Sequence, residues 1–154
     1  MKNISTNEIV NQELKQIIFN RNFANAYIFH GPENFGKKET SIQFIAELMR
    51  TERPEFEVLT QVRNNNHPDY LLVEPSYLIK GNLIKQSEID ENLIKKNKPL
   101  IRIDQIRTIK IFLSRTAIQA SKKYVVIYDA HLLNEAASNC LLKTLEEPTN
   151  GLFI

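Results

Sequence analysis

Gly31-Pro32-Glu33-Asn34-Phe35-Gly36-Lys37-Lys38 is the stretch of this sequence richest in chemical content. Glycine, four residues, glycine and lysine make up most of the phosphate-loop pattern, which continues with serine or threonine. Glycines let successive backbone N–H groups turn inward as an anion nest, and a following helix adds its positive N-terminal dipole. Lys37 is spaced to reach terminal phosphates. Lys38 stands where the pattern asks for a hydroxyl, so it offers charge but cannot ligate Mg²⁺. Thr40 comes two residues too late to replace it. A ligand-free tight turn between strand and helix is the competing reading. Gly31, Gly36, Lys37 and Lys38 are the candidate nucleotide-binding residues of a degenerate phosphate loop.

Asp129 ends the apolar run Tyr124-Val125-Val126-Ile127-Tyr128 and fits a Walker B-like carboxylate, the group that holds the Mg²⁺ of a bound nucleotide. A turn or N-cap aspartate is the alternative. The next position, where a hydrolytic enzyme of this kind carries a water-activating glutamate, is Ala130, whose methyl accepts no proton. His131 lies one residue too far and reads as a loop histidine. Cys140 falls on the apolar side of a helical pattern and is assigned to packing. His30 and His67 have no partner at metal or triad spacing and are read as structural. Ser114-Arg115-Thr116 reads as solvated helix surface. No catalytic residue and no metal ligand set is assigned.

The elements that must position these residues follow from periodicity. Asn7–Asn20 carries Val10, Leu14, Ile17 and Ile18 at helical spacing, with Ser5, Thr6 and Asn7 as candidate caps. Ala26–Phe29 reads as a short buried strand running into the phosphate loop, and Glu39–Arg50 as a helix through Ile42, Ile45 and Met49. Thr51–Asn66 is polar, holds Pro54 and shows no clear element. Tyr70–Glu74 is a strand stopped by Pro75, and Ser76–Pro99, rich in Lys and Asn, reads as a surface loop with room for a short helix. Ile106, Ile109, Phe112, Leu113 and Ala117 define a helix capped by Asp104. Lys123–Tyr128 is a strand suited to a parallel sheet covered on both faces. Asn134–Glu147 is an amphipathic helix stopped by Pro148, and Gly151–Ile154 opens a further strand. The expected fold is α/β: a parallel sheet flanked by helices, a single domain over 1–154 cut short as that strand begins.

Composition narrows the class. The 154 residues carry 20 Lys and Arg against 18 Asp and Glu, a net charge of +2 that argues against a histone-like basic protein. A hydrophobic share of 42% with 25% charged residues is ordinary globular usage and excludes wholesale disorder. The single cysteine excludes an internal disulfide framework and a zinc site built on several thiolates. No apolar run approaches the roughly 20 residues of a membrane helix, and the start MKNISTNEIV has no signal-peptide core, so a cytoplasmic location is expected.

Asn139-Cys140-Leu141-Leu142-Lys143-Thr144-Leu145-Glu146-Glu147-Pro148 resembles the N-A-L-L-K-T-L-E-E-P stretch of bacterial clamp-loader AAA+ subunits, at the right distance from the Walker B-like strand. Ala26-Tyr27-Ile28-Phe29-His30-Gly31-Pro32 is similar to that family's first strand and phosphate loop, and His67-Pro68-Asp69 to its motif before the second strand. Asp129-Ala130-His131-Leu132-Leu133 resembles the delta-prime type of DNA polymerase III clamp-loader subunit. The resemblance implies an AAA+ P-loop fold, a largely non-hydrolysing stator role, clamp-loader subunits as partners and, through them, the sliding clamp and primer-template DNA. It implies ATP bound weakly or without Mg²⁺, if bound at all. No zinc is expected, since Thr51–Asn66 lacks the cysteines of the family's zinc module. The family's interfacial arginine, in a Ser-Arg-Cys motif, is expected beyond Ile154. Two other readings compete. An active ATPase motor subunit of the same loader is disfavoured by Lys38 and Ala130. A DNA-binding P-loop-like domain is disfavoured by the small net charge and the lack of an aromatic-basic stripe.

Overall fold

The computed structural model describes residues 5, 7–32, 34–50, 55–89, 98–147 and 151–154. Helix α1 (Glu8–Asn20) begins where Asn7 Oδ1 accepts the N–H groups of Ile9 at 3.1 Å and Val10 at 3.4 Å, satisfying two donors of an open helix end. Of the other expected caps, Ser5 Oγ accepts the Asn7 N–H and Thr6 lies outside the described residues. The stripe Val10, Leu14, Ile17 and Ile18 packs with Phe44 of α2 (Lys37–Leu48), and Tyr27 and Phe29 join the same cluster. Tyr27 meets Phe44 edge-to-face at 5.4 Å between ring centres. Phe44 is fully buried, which is worth about 1.5–3 kcal/mol for a side chain of this size.

Helix α2 starts two residues earlier than the apolar period indicates. Gly36 takes φ +74°, a left-handed conformation that glycine adopts without strain, and delivers the chain directly into the helix at Lys37. Residues 55–63 depart from expectation in another way: they form α3 (Glu55–Arg63), whose Val58 and Val62, one turn apart, are buried where α3 packs on α2. The Glu39–Arg63 ion pair adds a polar link between the two helices. Burial works against the Glu39 charge, but Gln43 and Arg63 hold its carboxyl below the usual range.

The sheet is parallel, with strands β1 (Tyr70–Val73), β4 (Lys123–Ile127) and β5 (Gly151–Phe153) in the order β1-β4-β5. β4 and β5 pair Lys123 with Gly151, Tyr124 with Leu152 and Val125 with Phe153. The Ala26–Phe29 segment joins as one parallel bridge, Ala26 to Phe153, rather than as a full strand. The Tyr27 N–H donates to the Phe153 carbonyl and the Phe153 N–H to Asn25, both at 2.9 Å.

His67-Pro68-Asp69 sits at the entry to β1. His67 Nδ1 accepts the Asp69 N–H at 3.1 Å, which fixes the turn. The fully buried Asp69 carboxylate accepts the N–H groups of Ile118 (2.8 Å), Gln119 (2.6 Å) and Ala120 (2.8 Å), and Lys123 Nζ stands 3.8 Å away. Burial raises the cost of its charge, yet the amides of Ala120, Gln119 and Ile118 and the Lys123 ammonium outweigh it and hold the carboxyl below the usual aspartate range. The structural reading of His67 therefore holds.

The chain divides into two compact units. The first contains α1, α2, α3, the Asp69 turn, Thr116–Val126 and β5; the second contains Leu72–Arg115 and the stretch from Ile127 through α5, so β1 and β4 each begin in one unit and end in the other.

In the second unit, part of the expected surface loop is a hairpin: β2 (Ser76–Ile79) and β3 (Asn82–Lys85), antiparallel, with Leu78 opposite Leu83. Lys80 at φ +50° and Gly81 at φ +84° make the two-residue turn whose twist suits a hairpin. Ser76 also exchanges backbone bonds with Leu100, tying the hairpin root down. Residues 90–97 of that expected loop lie outside the described residues.

Helix α4 (Ile103–Leu113) starts after Arg102, not at Asp104, which falls inside the first turn. Gln105 decides this: its Oε1 accepts the Arg102 N–H at 3.0 Å, and its Nε2 donates to the Glu74 carbonyl at 2.8 Å. Ile106 and Ile109 are fully buried, and α4 packs on α5 (Glu135–Glu146), with Ala137 and Thr144 buried on the latter. Asn134 caps α5 by accepting the Ala137 N–H at 2.9 Å, and Pro148 lies outside the described residues.

Candidate nucleotide site

The first unit holds a cavity of about 540 Å³, within the roughly 300–1,000 Å³ of small-molecule sites. One wall is α1 and the residues that lead into it, through Ser5, Asn7, Val10, Glu13, Leu14 and Ile17; the other is the segment from Tyr27 to Pro32, with Phe35, Lys37 and Thr40. The floor is apolar because the stripe that packs α1 on α2 continues into it. The charged side chains on the wall are Lys37 and Glu13.

The phosphate-loop residues fall into distinct positions. Gly31 and Lys37 line the cavity, while Gly36 forms the left-handed step into α2, with its carbonyl accepting the Thr40 N–H at 2.8 Å. Asn34 is also left-handed, at φ +61°, and aspartate and asparagine tolerate this conformation better than most residues. Lys37 stands at the N-terminus of α2, and its Nζ donates to the carbonyls of Gly31 at 2.6 Å and Pro32 at 2.9 Å. Lys38 is exposed and does not line the cavity. Thr40, one turn further along α2, is buried and does line it. His30, read as structural, also lines the cavity, as do the α1 residues that periodicity assigns only to core. Sequence gives no signal for that shared role, since one apolar stripe serves both.

The arrangement can hold an anion through Lys37 and the open end of α2. It does not supply a Mg²⁺ ligand at residue 38, because an ammonium has no lone pair to give. Among the described residues, no three or more His, Cys, Asp or Glu side chains gather as a metal cluster.

Asp129 and Ala130 belong to the second unit. Asp129 is exposed, left-handed at φ +51°, and its carbonyl accepts the Leu132 N–H at 2.8 Å, so it opens the short turn Ala130–Leu132. Its carboxylate caps nothing there. Ala130 and His131 are exposed. Cys140 is half-buried on α5, and Ser114, Arg115 and Thr116 are exposed just beyond α4, in keeping with the solvated reading.

The chain is 31% identical over 138 residues to the DNA polymerase III subunit delta' of Pseudomonas aeruginosa, covering 85% of this chain and 36% of that protein. It is 34% identical over 82 residues to the subunit of the same name from Escherichia coli, covering 53% of this chain and 19% of that one. The chain thus spans about a third of the P. aeruginosa relative. A crystal structure of a DNA polymerase III gamma subunit-related protein from Thermotoga maritima superposes with a TM-score of 0.60 over 92% of this chain and 37% of that one, at 22% identity, which shows a shared fold. The family model described as DNA polymerase III, delta subunit, matches residues 6–154, and the chain belongs to that family.

Proposed function

We propose that this chain acts as a delta-prime-type subunit that supports clamp loading without hydrolysing ATP itself. The observation that carries the reading is Ala130 directly after Asp129, with Lys38 exposed where a metal-binding hydroxyl belongs. A general base is worth roughly 10²–10⁴-fold in rate, so its loss alone removes most hydrolysis, and the missing metal ligand removes a further part. Gly31, Gly36, Lys37 and Lys38 are the residues proposed to meet nucleotide phosphates, and Asp129 the Walker B-like position. Binding through the backbone and Lys37 needs no metal. The base of a nucleotide would lie against the apolar wall of Val10, Leu14 and Ile17. The partners proposed are the other clamp-loader subunits and, through them, the sliding clamp and primed DNA. The P. aeruginosa and E. coli relatives carry the delta' name, which supports this role over that of an ATPase motor.

The test is reconstitution of the full-length protein with motor subunits, reading DNA-stimulated ATPase and clamp loading. Loading should fall to background when the protein is omitted, and the purified protein alone should turn over no ATP above contaminant level. Turnover near about 1 s⁻¹ by the protein alone, an ordinary enzyme value, would establish the motor reading instead.

A further inference from the structure

Helix α1 runs out through Phe19-Asn20-Arg21-Asn22-Phe23, where two aromatic rings and a guanidinium alternate with neutral amides. Phe19, in the last turn of the helix, is 83% exposed. Arg21 is exposed at the left-handed C-cap, φ +51°, and its N–H donates to the Ile18 carbonyl at 3.3 Å, which sets how the chain leaves the helix. Phe23 is half-buried, and Lys122, just before β4, brings its Nζ to 5.4 Å from the centre of that ring, within cation–π reach. The far end of the turn is held as well: the Ala24 N–H donates to Tyr27 Oη and the Phe153 N–H to the Asn25 carbonyl, both at 2.9 Å. Residues 19–25 and 121–123 include no acidic side chain.

We propose that this turn is a stacking platform for single-stranded nucleic acid: an unpaired base lies on the Phe19 ring, and Arg21 and Lys122 meet the flanking phosphates. An aromatic face beside cations binds a strand without reading its sequence, because every base has a π-face. The turn is tied at both ends, so little ordering remains to be done when the strand arrives. A protein partner would need a rim around the ring that excludes water. The neighbours in the chain are instead Asn20, Asn22 and Asn25, exposed amides that stay hydrated. Duplex DNA keeps its π-faces inside the stack and cannot use the ring. With one open ring and two cations the platform binds weakly. It gives the chain a direct contact with a strand and does not make the chain a DNA-binding domain by itself.

The experiment is fluorescence anisotropy of the full-length protein with a labelled oligothymidine of about 15 nucleotides at low salt. Phe19→Ala should weaken binding at least about fivefold, while Phe19→Tyr, which keeps a ring, retains it. The exposure of Phe19 means that the truncation leaves the circular dichroism spectrum unchanged. Arg21→Asn and Lys122→Gln should each reduce the slope of log affinity against log salt by about 0.7. Lys80→Gln, at an exposed lysine of the other unit, should alter neither affinity nor slope. Affinity for a duplex of the same length should not change in Phe19→Ala. Unchanged oligothymidine affinity in Phe19→Ala overturns the platform, and so does an equal loss with duplex. Weakened association with clamp-loader subunits at unchanged oligothymidine affinity would make the turn a protein contact instead.

Discussion

Asp69 and Asp129 each flank a strand of the central sheet, one entering β1 and one leaving β4, and the chain uses them in opposite ways. Asp69 is fully buried and accepts three backbone N–H groups beside Lys123. Asp129 is exposed in a left-handed turn, and its carboxylate caps nothing. A motif aspartate can therefore be a clasp that organises a loop or a group left open for chemistry. The difference lies in whether nearby amides converge on it.

The largest test of this contrast is truncation of each carboxylate. Asp69→Ala leaves three N–H groups without their acceptor and removes the carboxylate beside the buried Lys123, and should cost about 3–5 kcal/mol in urea unfolding. Asp129→Ala should stay within about 0.5 kcal/mol, the usual range for an exposed position. Equal losses would erase the distinction.

Protonation is the reversible and smaller version of the same change. Because the folded Asp69 carboxyl is held below its ordinary value of 3.8, its stabilisation is complete above that value and disappears as pH falls through the lower folded value. Acid unfolding followed by circular dichroism should therefore lose a sloping contribution below about pH 4 that Asp69→Asn no longer shows. An identical acid limb in the variant would assign the effect to other groups.

A third comparison concerns ligand rather than stability. Lys37→Ala should weaken pyrophosphate binding by about 1.5–3 kcal/mol for each charge-assisted bond lost, while Asp129→Asn should leave metal-free binding unchanged. Calorimetry decides it, and unchanged affinity in Lys37→Ala would reduce the loop to a turn. The smallest effect is expected at the two asparagine caps, one in each unit. Asn7→Ala and Asn134→Ala should each cost about 1 kcal/mol in the same unfolding assay. A much larger loss at Asn7 would show that it also supports the cavity it lines.

The sequence by itself determined the α/β class, the helices α1, α4 and α5, the strands β1, β4 and β5, and the positions of the glycine loop before α2 and of the turn after β4. Each has a clear hydrophobic period or a spacing tied to backbone chemistry. Two elements escaped it for identifiable reasons. The β2–β3 hairpin hides among Lys and Asn, and its signal is the Lys80-Gly81 pair between Tyr77-Leu78-Ile79 and Leu83-Ile84. Helix α3 carries Phe56, Val58, Leu59 and Val62 at helical spacing, but the period is only nine residues long and lies between Pro54 and Asn64-Asn65-Asn66, so it is hidden in a stretch that is polar as a whole. Only the tertiary structure decided that α1 walls the cavity, that Lys38 stays outside it while Thr40 lines it, and that Asp69 clasps the Ile118–Ala120 loop. Hydrophobic periodicity reports which face of an element is buried. It carries no record of which distant backbone amides or cavity walls that face will meet.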